Sequence, residues 1–380
     1  MHATSLFWKE DKGWDVKQGV GANLVLYFGA RESLADGSRF DELRDMFPGA
    51  RIVGCSTGGQ IRNNDVCDDE IAAVALSFDA TDIQIAREIV SDPDHSRACG
   101  KAIGSQLRRD DLAGVFVLSD GLNVNGSELV AGIANEIGRN VPLTGGLAGD
   151  GSRFAETLVG ADIAPCSHTV VGIGFYGSAI RFGHGSAGGW NVFGPRRRIT
   201  RSACNVLFDL DGAPALDLYE RYLGDEAQGL PGTALLFPLQ ISDPANPETT
   251  LVRTVLAVDR NKRSMTFAGD MPDGWIAQLM RGNFINLSAG AADAARQAND
   301  GAGAVAKNKG VAVLVSCIGR RLLMGQRITD EVEAAGVVLG DQMARLGFYS
   351  YGEIAPHALS GFCDLHNQTM TVTTITEVAA

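Results

Sequence analysis

Apolar residues along this chain gather into short, dense runs separated by amphipathic stretches and glycine-rich turns. Residues 23–28, 51–54, 71–78, 114–119 and 141–146 read as buried strands, each too short for a helix and bounded by turn residues. Residues 40–47, 95–108 and 128–137 carry helical spacing between them. Further on, 199–210, 311–316, 347–354 and 370–375 predict strands, and 214–223, 289–298 and 329–338 predict helices. Residues 251–258 and 264–268, flanking a polar turn, predict a hairpin. Short strands alternating with helices specify an α/β class with mixed sheets.

At 380 residues the chain exceeds one ordinary core, so two docked α/β halves are expected. The texture turns glycine-rich and aromatic at 178–195, which places the boundary between 21–188 and 189–375. There is also an internal echo. Residues 115–120, a helix, 145–151 and a strand at 157–159 resemble 313–320, a helix, 347–353 and 370–375, which is the mark of a structural duplication.

Charge narrows the function. The net charge is −12 and the densest basic run is Arg196-Arg197-Arg198, so nucleic acid and anionic membrane surfaces are poor partners. No apolar stretch reaches the length of a membrane span, and the first residues lack the pattern of a signal peptide. The 7 cysteines lie far apart without a CxxC pair, which argues against a zinc cluster or a disulfide framework and for a reducing cytoplasm. HExxH, GxSxG and phosphate-loop patterns are absent, so no catalytic metal, serine hydrolase or nucleotide site is indicated.

Candidate chemistry sits at strand ends, where open α/β sheets place ligands. Cys55, Ser56 and Thr57 occupy a glycine-flanked turn whose amides and hydroxyls suit an anion. Gly146 and Asp150 lie in a second such turn. Arg320, beside Arg321, offers a planar grip for a carboxylate, and one of the pair reads as solvated. Tyr351 and Glu353 follow in an aromatic and polar segment, and His366 and Asn367 belong to a polar run that enters an apolar strand. Unpaired polar groups there cost ~1–3 kcal/mol each, so they satisfy one another or face a ligand.

The same segments resemble the FIST family. The run from Val53 to Ile61 and that from Thr144 to Gly151 look like its N-terminal domain. Gly189 to Pro195, Asp211 to Ala215 with Tyr219, Cys317 to Arg321, Gly347 to Ile354 and Leu365 to Thr371 resemble its C-terminal domain. The resemblance implies a sensory protein that binds a small ligand and acts in chains with histidine kinases, cyclic-dinucleotide enzymes or chemoreceptors. Some stand-alone members are haem-containing nitric-oxide sensors, and amino-acid-like ligands have also been proposed. The family supplies no established catalytic residues. Because its motifs use up the chain, the signal would pass to a separate partner, a histidine kinase or a cyclic-dinucleotide signalling protein, and a homodimer is compatible.

Three functions follow. A haem b sensor would use His366 as axial ligand to a non-covalent haem, with His184 behind it. A metabolite sensor would hold a carboxylate on Arg320 and an ammonium on Glu353, Asp150 or Tyr351, with the Cys55-Ser56 turn completing the site. An enzyme would use Cys55 or Cys317 as nucleophile and His366 as base. The balance favours a cytoplasmic binding protein over an enzyme.

Overall fold

The structure is a computed structural model that describes residues 1–16, 19, 21–303, 310–357 and 361–378. One structural unit recurs along it. The first copy comprises β1 (His2–Lys9), β2 (Gly13–Trp14), β3 (Leu24–Gly29), α1 (Arg31–Leu34), α2 (Ser38–Met46), β4 (Arg51–Ser56), β5 (Gln60–Arg62), β6 (Asp65–Cys67) and β7 (Glu70–Ser77). The second comprises β8 (Asp82–Ile89), α3 (Ser96–Leu107), β9 (Leu112–Ser119), α4 (Gly126–Ile137), β10 (Leu143–Leu147), β11 (Val159–Ala161) and β12 (Thr169–Tyr176).

The third copy opens with β13 (Ile180–Ala187) and is then interrupted by a small domain. That insertion holds β14 (Asn191–Ala203), β15 (Val206–Leu210), β16 (Ala213–Pro214), α5 (Ala215–Leu223), β17 (Leu239–Asp243), β18 (Asn246–Arg253), β19 (Val255–Asp259), β20 (Ser264–Phe267) and β21 (Ile276–Arg281). It buries its own core around Ile199, Tyr219, Ile241 and Phe267. The third copy resumes with α6 (Phe284–Ala302), β22 (Gly310–Cys317), α7 (Ile318–Met324), α8 (Thr329–Leu339), β23 (Met343–Ser350), β24 (Gly352–Pro356), β25 (Cys363–His366) and β26 (Met370–Glu377).

Each copy forms its own sheet in the same order: β4-β3-β7-β1, β10-β9-β12-β8 and β23-β22-β26-β13. In each, the first two strands named are parallel and the others antiparallel. After its second parallel strand the chain leaves its sheet and adds a strand to another copy's. So β5 pairs with β23, β24 with β10, and β11 with β4, a closed cycle. The halves on either side of residue 188 therefore share sheets rather than only surfaces.

The duplication legible in the sequence thus has a third member, and its pairing needs one correction. Met370–Glu377 corresponds to Thr169–Tyr176, whereas Val159–Ala161 is the exchanged strand. The inward faces of the three sheets meet in one central core, with Leu26 and Phe28, Phe116 and Leu118, and Val313 and Val315 at matching levels. Helices cover the outer faces. On the second sheet α3 and α4 cross so closely that a Cβ on Gly132 would meet the Lys101 amide at 2.9 Å.

Other expectations shift for physical reasons. Residues 178–195, glycine-rich in texture, hold a sheet strand: in β13, Gly183 and Gly185 lie where any Cβ would strike the α6 carbonyls of Ala298 and Ala294. The single strand expected at 199–210 is a hairpin, turning at Cys204 with a positive φ of 49°. The strand expected at 347–354 breaks at Tyr351, where the chain passes from one sheet to another. The hairpin expected at 251–268 is formed by β19 and β20, with β18 paired instead to β17. No helix among the described residues is long and apolar enough to cross a membrane.

Candidate functional site

The three exchange points meet at the strand ends, and the backbone closes a ring there. Gly58 N donates to Tyr349 O at 2.8 Å, Gly149 N to Ser56 O at 3.0 Å, and Tyr351 N to Leu147 O at 3.2 Å. Each bond runs from the residue two places beyond the carbonyl of its own copy to the next copy's carbonyl. The sequence explains why the chain can turn so tightly. Gly59 has φ +135°, and a Cβ on Gly58 would lie 2.6 Å from Ile318 Cδ1.

A cleft of about 390 Å³ opens beside this ring. Gly58 and Asp68 come from the first copy, Gly151 and Ser152 from the second, and Ile318, Arg321 and Leu322 of α7 from the third. Arg321 donates to Gly58 O and pairs with Asp68 Oδ1 at 2.5 Å, over the Tyr349 ring at 5.4 Å. Asp68 is 66% exposed, so this ion pair is weakly held and exchangeable. A guanidinium and a carboxylate in one cleft suit a small molecule with both charges.

Of the residues singled out from sequence, Ser56, Thr57, Asp150 and Tyr351 come together at the ring. Ser56 Oγ accepts from Leu158 N at 2.8 Å and so pins the exchanged strand. Thr57 Oγ1 accepts from Gly59 N at 3.2 Å. Asp150 is buried and accepts from the amides of Phe154, Ala155 and Glu156 at 2.9–3.0 Å and from the Tyr351 hydroxyl. Burial alone would raise its carboxyl, but the Tyr351 hydroxyl and those amides outweigh it and hold it below the usual range. The Tyr351 ring stacks on Phe154 at 4.4 Å, so this pair shapes the loop that walls the cleft.

Glu353, Asn367 and Cys317 are buried and do not line the cleft, and Asn367 meets the inserted domain. Glu353 accepts from Ser350 Oγ at 2.7 Å and from Thr369 N and Oγ1 at 3.1 and 2.9 Å, and burial pushes its carboxyl up to about 8 against those bonds. Asn367 Oδ1 meets Thr254 N at 3.4 Å, while Asn367 Nδ2 and Gln368 Oε1 are buried without a hydrogen-bond partner among the described residues. The polar run is thus only partly self-satisfied. Gln368 also has φ +64°, an uncommon backbone for a side chain with a Cβ.

Four candidates have structural work instead. Cys55 and Gly146 hold the same place in their copies as Phe348, inside the central core. A Cβ on Gly146 would lie 2.7 Å from Val315 Cγ1 and 3.4 Å from Phe348 Cζ, so its absence makes room for the Phe348 ring. The Cys55 thiol is pushed well up by burial, the reverse of an activated nucleophile, and burial pushes up that of Cys317 as well.

Arg320 is buried in an ion pair with Glu331 at 2.7 Å and donates to the Leu287 carbonyl at 2.9 Å. Its neighbour, not Arg320, reaches the cleft. His366 is buried on β25 with Nε2 bonded to Ala355 O at 3.0 Å, and burial pushes its imidazole down to about 4. It lines neither the axial cleft nor the groove at the base of the inserted domain. His184 sits on β13, its pKa lowered by burial. No group of three or more metal-ligating side chains is found among the described residues.

Sequence reasoning missed Arg321 and Asp68. Arg321 was legible as one of an arginine pair, but Asp68 reaches the site only through the exchanged β5 and β6 hairpin.

Comparison with known proteins agrees with these motifs. The chain is 26% identical over 227 residues to an uncharacterized protein of Methanocaldococcus jannaschii, a match covering 56% of this chain and 42% of that protein. It therefore spans less than half of that relative's length. The FIST N domain matches residues 23–213 and the FIST C domain residues 215–356, meeting inside the inserted domain. The chain belongs to the FIST family of signal-transduction sensor domains.

Proposed function

We propose that this chain is a cytoplasmic sensor for a small zwitterionic metabolite such as an α-amino acid, and that it regulates a separate signalling protein. A histidine kinase or a cyclic-dinucleotide enzyme is the partner the family context favours. The observation that carries the ligand class is the axial cleft, where, among the described residues, the polar partners of the Arg321 guanidinium are the exposed Asp68 and a backbone carbonyl. An α-carboxylate on the guanidinium and an α-ammonium on Asp68 would replace one weak pair by two charge-assisted contacts. Its volume of about 390 Å³ fits a small ligand. The buried thiols of Cys55 and Cys317, each raised rather than lowered, speak for a binding protein over a cysteine enzyme.

A haem reading asks more of the fold. His366 would have to release Ala355 O, and β24 and β25 would have to part around it. The residues around His366 do not fit the group in this arrangement.

The test is a thermal-shift screen of the purified chain against the proteinogenic amino acids, with haemin as a separate arm. A stabilising amino acid whose effect is lost in Arg321→Ala and Asp68→Asn supports the reading. A Soret band that disappears in His366→Ala, with no amino acid stabilising the chain, would overturn it in favour of haem.

A further inference from the structure

The inserted domain leaves and rejoins the body through two adjacent crossovers, residues 188–191 and 281–284. Between them and the end of α7 lies a second groove, of about 580 Å³, within the range of small-molecule sites. Its apolar surface comes from Phe193 and Phe284 together with Leu323 of α7. Two large apolar side chains on its rim are left to water, Ile285 at 74% and Val192 at 43% exposure. Exposed apolar surface concentrated in a concave site is the mark of a surface that something covers.

The charge of this groove is opposite to that of the chain. The net charge is −12, yet two arginines and no carboxylate line the groove. Arg327 is neutralised by Asp330 at 2.7 Å. The Arg281 guanidinium makes no ion pair or hydrogen bond among the described residues and lies over the Phe193 ring at 5.8 Å. The first turn of α6 is not the anion seat, because Asn283 Oδ1 already accepts from Ile285 N at 2.9 Å. The Arg281 guanidinium is therefore the open donor, beside an aromatic and aliphatic surface.

We propose that this groove binds a small amphipathic anion, a carboxylate, sulfonate or phosphate carried on an aromatic or branched aliphatic body. The acid group bonds Arg281, and the body covers Phe193, Phe284, Leu323 and Ile285. Such a ligand would brace the inserted domain against the body at both crossovers. The site is separate from the axial cleft, although α7 touches both: Leu323 sits here, and Ile318, Arg321 and Leu322 line the cleft.

The probe is anilinonaphthalene sulfonate, titrated by fluorescence into the full chain. The groove predicts saturable enhancement with one probe bound per chain. It predicts that Arg281→Glu and Ile285→Asp, both at exposed positions, each weaken binding by about tenfold or more. Arg260→Glu, at an exposed position on the hairpin of β19 and β20, and Arg321→Ala should leave it unchanged. Saturating probe should also slow amide hydrogen exchange at 188–193 and 281–285. No enhancement, unsaturable binding, or binding insensitive to Arg281→Glu and Ile285→Asp overturns the proposal. Loss in Arg321→Ala alone would place the probe in the axial cleft and equally overturns it.

Discussion

Replacing Arg320 and replacing Arg321 should have opposite consequences, although the two are adjacent in sequence. Arg320 is fully buried, with Nε at 2.9 Å and Nη2 at 2.7 Å from Glu331 Oε2, and with bonds to Leu287 O at 2.9 Å and Gln368 O at 3.4 Å. Arg320→Met would leave the Glu331 carboxylate buried with, among the described residues, the hydroxyls of Ser316 at 2.8 Å and Tyr349 at 3.0 Å. Breaking such a pair costs about 3–5 kcal/mol. With an unfolding entropy of ~2.1 cal/mol/K per residue over 380 residues, that lowers Tm by roughly 4–6 °C if the chain unfolds as one unit. Arg321→Ala removes a pair with an exposed partner and should cost under about 1 kcal/mol. Urea denaturation followed by circular dichroism, with m compared between variants, gives both values. Equal destabilisation by the two variants, or a larger loss in Arg321→Ala, would refute the assignment of Arg320 to the scaffold.

Further outcomes follow from single sites. The Glu353 carboxyl is held near 8 in the fold but titrates near 4.5 when unfolded, so the native state binds more protons between these values. Stability should therefore fall as pH rises from about 4.5 through 8, and Glu353→Gln should flatten that slope in thermal melts across the range. Glu377 runs the other way. The amides of Asp79 and Ala80 and the Thr81 hydroxyl overcome burial and hold it at about 2, so its contribution is fully present above pH ~4.5 and is lost progressively as pH falls from there through about 2. Glu377→Gln should cost more stability at pH 7 than at pH 2. Gly146→Val should destabilise by about 1–3 kcal/mol through overpacking against Val315, measurable in the same urea titration. A thiol reagent should label exposed Cys204 first in native protein and reach Cys55 and Cys317 only in denaturant. Rapid native labelling of either buried thiol would reopen the enzyme alternative.

The strands that read correctly are those buried on both faces, because a doubly covered strand must be continuously apolar. Leu24–Gly29 and Gly310–Cys317 are such runs. The exchanged strands β5 and β11 have only 3 residues each, too few to show a period, so the threefold cycle left no local trace. The glycines at 178–195 read as a change of texture, whereas Gly183 and Gly185 serve a close helix contact inside a sheet strand. The arginine pair was legible as chemistry but not as geometry. Successive helix positions diverge by about 100°, and only packing decides which guanidinium is buried. Likewise the Asp150–Tyr351 contact joins residues 201 apart, brought together only by the closing of the ring.

The central claim is that the axial cleft takes a zwitterion between Arg321 and Asp68. The most direct measurement is titration calorimetry of the stabilising amino acid into the wild-type chain, Arg321→Ala and Arg320→Met, with each variant's folded fraction checked first. The account predicts one site per chain in the wild type, affinity reduced by about tenfold or more in Arg321→Ala, and affinity retained in whatever Arg320→Met remains folded. Unchanged affinity in Arg321→Ala, or loss confined to folded Arg320→Met, would contradict it.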